Sequence, residues 1–147
     1  RIYQDGRGGP KDYAKARQWY RVAAQRGNHK AAVNLGLMHA LGFGGPKDNQ
    51  VAGQWFLLAA DHRDSKAQDN LGALYQNGEG VRRDHVKAYI WFAIAAANGD
   101  SEAVKHRDQI AQVMAPSQIE RARKLSAQKM YASILCEIVP TLPCHWR

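Results

Sequence analysis

Trp19, Trp55 and Trp91 stand 36 residues apart, and the residues around each tryptophan repeat with it. The turns read Gly6-Arg7-Gly8-Gly9-Pro10-Lys11-Asp12, Gly42-Phe43-Gly44-Gly45-Pro46-Lys47-Asp48 and Gly78-Glu79-Gly80-Val81-Arg82-Arg83-Asp84. Each is followed by alanine at the fourth position and tryptophan at the seventh. Tandem self-similarity at this period is the mark of a solenoid, in which apolar surface is buried between neighbouring units rather than in one central core. Residues kept at fixed intervals are framework, so partner selection must lie between them.

Within the unit from Ala31 to Lys66, Ala31, Leu35, Gly36 and His39 recur as Ala67, Leu71, Gly72 and Tyr75. Steps of four and five place them on one helical stripe. Glycine costs about 0.8–1 kcal/mol against alanine inside a helix, so Gly36 and Gly72 at matching positions predict notches where a second helix passes close. Gly42 and Gly78 end the first helix, and Asp48 or Asp84 is placed to cap the second. The second helix carries Ala52, Trp55, Phe56, Ala59 and Ala60, matched by Ala16, Trp19, Tyr20, Ala23 and Ala24 before it and by Ala88, Trp91, Phe92, Ala95 and Ala96 after it. Large rings facing small alanines predict that the indoles wedge successive units together, each buried ring contributing about 2–3 kcal/mol. Gly27 and Gly99 supply left-handed exits, with Asn28, Asp64 and Asp100 capping the next helix, whereas Arg63 replaces the glycine and predicts a strained or altered turn.

The formal charge of +8 is uneven. Residues 1–30 carry eight Lys/Arg against Asp5 and Asp12, and residues 103–147 carry seven against three acids. Basic ends attract acidic partners, nucleic acid or an anionic membrane surface without choosing among them, and a solvated surface is the plain alternative. Cys136 and Cys144 both lie outside the repeats, so disulfides do not staple the units. Cys136, Cys144 and His145 are compatible with a metal, a disulfide or free thiols, and the last is the reading adopted. Arg1 aligns with Leu37, so the chain is expected to start partway through a helix, with upstream sequence missing; the compartment stays open. No stretch is long and apolar enough to cross a bilayer as a helix.

Chemistry is sparse. Gly42-Phe43-Gly44-Gly45-Pro46-Lys47 lacks the Gly-Lys-Ser/Thr ending of a phosphate loop and stands between helices, so it reads as a structural turn. The histidines at 29, 39, 62, 85, 106 and 145 form no metal-type pair on one helix face, and His39 simply takes the place of a core tyrosine. There is no nucleophile elbow or zinc-protease signature. No catalytic residue, metal site or cofactor is therefore expected.

The run over 67–99, with Asn70-Leu71-Gly72, Tyr75, Gly78-Glu79-Gly80, Asp84, Ala88, Trp91-Phe92, Ala95-Ala96 and Gly99, closely resembles the Sel-one-like repeat, a relative of the tetratricopeptide repeat. The resemblance covers about residues 1–114 well and continues loosely to Ala127. It implies an all-α, right-handed superhelical solenoid of antiparallel helix pairs. It also implies a non-enzymatic adaptor, as in bacterial signalling, secretion and envelope assembly or in eukaryotic quality control. The units are placed at 1–30 (truncated), 31–66 and 67–102. A C-terminal capping helix pair follows at 103–130, then a tail of uncertain structure at 131–147. The cap is read from Arg107 and Asp108, which stand where Leu35 and Gly36 do. Its last helix starts at Pro116, with Gln118 near the third position and Ala115 where Ser or Thr would cap, an omission worth about 1 kcal/mol.

In paired-helix solenoids the first helix of each unit lines the concave surface. Side chains there that belong neither to stripe nor notch are the candidate contacts: Asn34, Leu37 and Leu41 in one unit, Asp69, Asn70, Ala73 and Gln76 in the next. Asn34 and Asn70 precede the recurring Leu-Gly, where an amide that donates and accepts can hold an extended peptide backbone or make an inter-repeat hydrogen bond. Lys30 and Lys66, near the starts of the same helices, add attraction for carboxylates. The expected function is a protein-interaction scaffold binding a protein segment or domain through its concave face. The alternative is an envelope-associated or polyanion-binding module using the basic ends, and behind it a hydrolase on cell-wall or drug-like substrates. The partner expected is a protein or peptide rather than nucleic acid.

Overall fold

The computed structural model describes residues 10–138. Seven helices follow one another among these residues: α1 (Pro10–Gln25), α2 (His29–Leu41), α3 (Asn49–Asp61), α4 (Ser65–Asn77), α5 (His85–Ala97), α6 (Ser101–Ala111) and α7 (Pro116–Ile138). Up to α6 each helix packs chiefly on its neighbours in sequence, so α2–α3 and α4–α5 are the two complete hairpins and α1 is the second helix of a preceding one. No described helix is long and apolar enough to cross a membrane.

Capping residues divide the helices where the sequence places them. The carboxylate or amide oxygens of Asn28, Asp48, Asp64 and Asp84 accept from the backbone N–H three residues on, at 3.0–3.1 Å, and Asp100 accepts from Glu102 and Ala103. Each cap stabilises its helix by about 1 kcal/mol. Gly42 and Gly78 close the first helices with left-handed φ of 74° and 69°, donating to Met38 O and Leu74 O. Arg63 adopts φ 67° and makes the same return hydrogen bonds as Gly27 and Gly99. The turn is therefore conserved in shape and carries the strain of a side chain in a left-handed well, about 1–2 kcal/mol. Arg63→Gly is expected to stabilise the protein by about 1 kcal/mol, read as a thermal midpoint raised by about 4 °C.

The glycine notches are filled, but by a ring and not by a passing backbone. A Cβ on Gly36 would lie 2.5 Å from Phe56 Cε1, and one on Gly72 would overlap the Phe92 ring in the same way. Phe56 and Phe92 are 2% and 1% exposed. The phenyl group of the second helix thus plugs into the first helix of its own hairpin. The expectation that the indoles wedge successive units is met only in part: Trp91 is 8% exposed within the main core, Trp55 is half-buried against it, and Trp19 is 71% exposed. Trp and Phe are consecutive, so about 100° of helix rotation separates them, and only one can point into the hairpin.

Successive hairpins are joined by the glycine-rich turns. A Cβ on Gly44 would overlap the backbone of Tyr13 and Ala14 at the start of α1, and one on Gly80 would overlap that of Asn49 and Gln50 at the start of α3. Each turn therefore lies flat on the preceding unit's second helix. At the first joint the buried Arg17 adds hydrogen bonds from Nη2 to Phe43 O (2.8 Å) and Met38 O (3.1 Å), and from Nε to Phe43 O (3.1 Å). Burial, with Arg21 nearby, lowers its pKa, and the carbonyls compensate the charge. At the second joint Gly53 replaces Arg17 and Val81 replaces Gly45, a reciprocal exchange of large and small, while Asn49 Nδ2 donates to Glu79 Oε2 at 3.1 Å.

The end of the array departs from the repeat. Asp108 stands where Gly36 and Gly72 make notches, and Ala127 and Gln128 stand where Trp91 and Phe92 do. With neither notch nor ring, α7 packs chiefly on α5. Ala122 and Ile119 join Tyr89, Phe92, Ile110 and Met114 in a second apolar cluster. Two helices, α6 and α7, stand over the segment 103–130, and α7 continues to Ile138 through the first residues assigned to the tail. Ala115, which lacks a capping hydroxyl, has its N–H satisfied by Gln118 Oε1 at 2.9 Å.

Candidate partner-binding surface

Asn28 starts α2, which fixes Lys30 in the first turn and Asn34 one turn later on the same face. These two side chains are shared by two adjoining depressions. One, about 370 Å³, lies between α1 and α2, with Trp19, Tyr20 and Ala23 on its far wall. The other, about 530 Å³, runs from Lys30, Val33 and Asn34 to Arg63, Ser65 and Lys66 at the start of α4. The result is a continuous open track bordered by an indole at one end and cations at the other. Asp64, the acid beside it, has an oxygen committed to the Ala67 N–H. The lining of the track carries three cations, Lys30, Arg63 and Lys66, against the one carboxylate of Asp64.

Of the residues expected from sequence, Asn34 lies in both depressions. Leu37 is half-buried against the main core, and Leu41 is 60% exposed at the end of α2. Asp69, Asn70, Ala73 and Gln76 are half-buried on α4 and do not line these two depressions. Asp69 Oδ1 lies 2.8 Å from His106 Nδ1 of α6, whose ring rests 5.4 Å from Phe92. Burial raises the Asp69 pKa, and the His106 contact opposes that rise. Asp69 thus binds the next unit. His106 occupies the position held by Asn34 and Asn70 in earlier units, so this register position sits at the seam between successive first helices.

Sequence reasoning missed Trp19 as surface and Arg17 as a joint. The second follows from the Arg17/Gly53, Gly45/Val81 exchange, visible once units are aligned, whereas the first has no signal within the repeat, since Trp91 stands in the same register and is buried. His39 is half-buried, and burial first and Arg17 second lower its pKa, with Asp48 opposing. Among the described residues no group of three or more His, Cys, Asp or Glu is placed to hold a metal. The Cys136 side chain, Cys144 and His145 lie outside the described residues, as does the start of the first unit.

The Sel1 repeat profile matches residues 1–28, 29–64 and 65–100. The chain belongs to the Sel1 repeat family. Among solved structures it is similar to a protective antigen of uropathogenic Escherichia coli strains displaying an SLR fold. The two are 36% identical with a TM-score of 0.79, over 82% of this chain and 26% of that one. A Sel1 repeat protein from Oxalobacter formigenes is 32% identical, with a TM-score of 0.66, over 86% of this chain and 54% of that one. The chain therefore spans a quarter to a half of the relatives it matches. No curated protein matches it. The architecture is the all-α superhelical solenoid of these Sel1 proteins, which generally serve as protein-interaction scaffolds.

Proposed function

We propose that this Sel1 chain is a non-enzymatic scaffold that holds an extended segment of a partner protein along the track from Trp19 through Asn34 to Lys66. The observation that carries the reading is the sharing of Lys30 and Asn34 by two adjoining depressions, which gives a segment several residues long one uninterrupted bed. Trp19 offers a large, low-entropy contact at one end. Asn34 stands where the two depressions meet, and Lys30, Arg63 and Lys66 favour carboxylate side chains. Affinity is the sum of modest contacts, so no single residue abolishes it.

A display library of short peptides supplies the test. Binders are expected to combine an apolar or aromatic residue with Asp or Glu a few positions away. Asn34→Ala, and Lys30→Ala with Lys66→Ala, are each expected to weaken them about tenfold in fluorescence anisotropy while leaving the helical circular dichroism unchanged. Binders that hold equally well to these variants would refute the assignment. A steep salt slope with equal binding of single-stranded DNA or heparin would transfer it to a polyanion partner.

A further inference from the structure

The second helix of each unit carries a tryptophan followed three residues later by a branched aliphatic side chain: Trp19 and Val22, Trp55 and Leu58, Trp91 and Ile94. Three residues of helix bring each pair onto one face. The third pair is covered. Lys129 of α7 places its ammonium 4.9 Å from the Trp91 ring centroid, and Met130 packs into the same apolar cluster as Trp91 and Ile94. Trp91 and Ile94 are consequently 8% and 5% exposed. The first two pairs have no such cover among the described residues: Trp19 is 71%, Val22 45% and Leu58 38% exposed, and Trp55 is half-buried.

We infer that the Trp19/Val22 and Trp55/Leu58 pairs form a second docking surface, which takes an amphipathic helix of a partner protein with an apolar face and acidic flanks. The helical form of the occupant is argued from α7, which already seats on the third copy of this surface with a long side chain over the indole and a flexible apolar one beside it. The charge is argued from the difference between copies. At the third pair the occupant brings Lys129, and the acid nearby is Asp61, whose field favours the ammonium against the cost of its burial. One unit earlier the position of Asp61 is held by Gln25 and the next by Arg26, and Lys15 lies one turn before Trp19. Asp61, three residues after Leu58, is already engaged by Lys129, so a glutamate-bearing helix meets Arg26 and Lys15 at the open end of the surface, where Gln25 stands in place of the acid. This surface shares Trp19 with the Asn34 track, and its other members, Val22, Trp55 and Leu58, do not line the track.

Two synthetic peptides test the inference against the full chain: residues 116–132 as they stand, and the same peptide with Lys129→Glu. The glutamate peptide is expected to bind about fivefold tighter than the parent. Val22→Asp and Leu58→Asp, both at exposed positions, are expected to weaken it about tenfold or more. Asn34→Ala is expected to leave it unchanged, which separates this surface from the track. Three results would overturn the inference: parent binding as tight as the glutamate peptide, binding indifferent to Val22→Asp and Leu58→Asp, or no binding of either peptide. Concentration-dependent self-association of the chain in sedimentation, abolished by Leu58→Asp, would also overturn it by giving the surface to a second copy.

Discussion

Phe56→Ala and Phe92→Ala are each expected to destabilise the protein by about 3–5 kcal/mol in urea or thermal unfolding, while Trp19→Ala changes it by less than about 0.5 kcal/mol. Both phenylalanines are almost wholly buried, and each fills a notch that a single glycine leaves open in the facing helix. Removing the ring leaves a cavity whose wall cannot collapse, because the notch is made by backbone on a capped helix. Because units in an array stabilise one another only through neighbours, Phe92→Ala is expected to loosen the α4–α5 hairpin and with it the seat of α7. Phe56→Ala loosens the middle of the array. Hydrogen exchange resolves the two, since the loss of protection maps to different helices. Equal effects of Trp19→Ala and Phe56→Ala would make Trp19 a wedge between units as well.

The architecture is legible in the sequence because a solenoid writes each structural requirement several times. Caps at Asn28, Asp48, Asp64, Asp84 and Asp100 and the left-handed glycines at 42 and 78 are local, needing only their own neighbours, and each forms where expected. The glycine notches are half-legible: their recurrence announces a close approach but does not say what approaches. Recurrence also misleads at the tryptophans, because three identical residues have three different environments set by what lies beyond them. Trp91 is buried by α7, a helix outside the repeat, and no periodicity within 19–91 reports that. The same holds for the surface. Asn34 and Lys30 are visible as non-framework positions, yet the track needs Trp19 from one unit and Lys66 from another, and Asp69 is withdrawn from it by a histidine thirty-seven residues away.

Gly80→Ala and Gly44→Ala are expected to cost about 3 kcal/mol each, far more than the roughly 1 kcal/mol expected for Gly27→Ala, although all three glycines have positive φ. At Gly27 a Cβ meets nothing within 4 Å, so alanine there brings only the strain of the left-handed well. At Gly80 the same strain is joined by overlap with the Asn49–Gln50 backbone, and at Gly44 by overlap with Tyr13 and Ala14. Helical backbone cannot rotate aside as a side chain would, so relief requires the turn to lift from the preceding unit. For Gly80 that movement also pulls Glu79 from Asn49. For Gly44 it withdraws the Phe43 carbonyl from the buried Arg17 guanidinium, leaving a charge with fewer acceptors. The expected signature is a shallower, earlier urea transition in which the units on either side of the altered joint unfold at separate midpoints. A Gly80→Ala protein that unfolds in one transition, with the midpoint of Gly27→Ala, would mean that the turns connect helices without joining units.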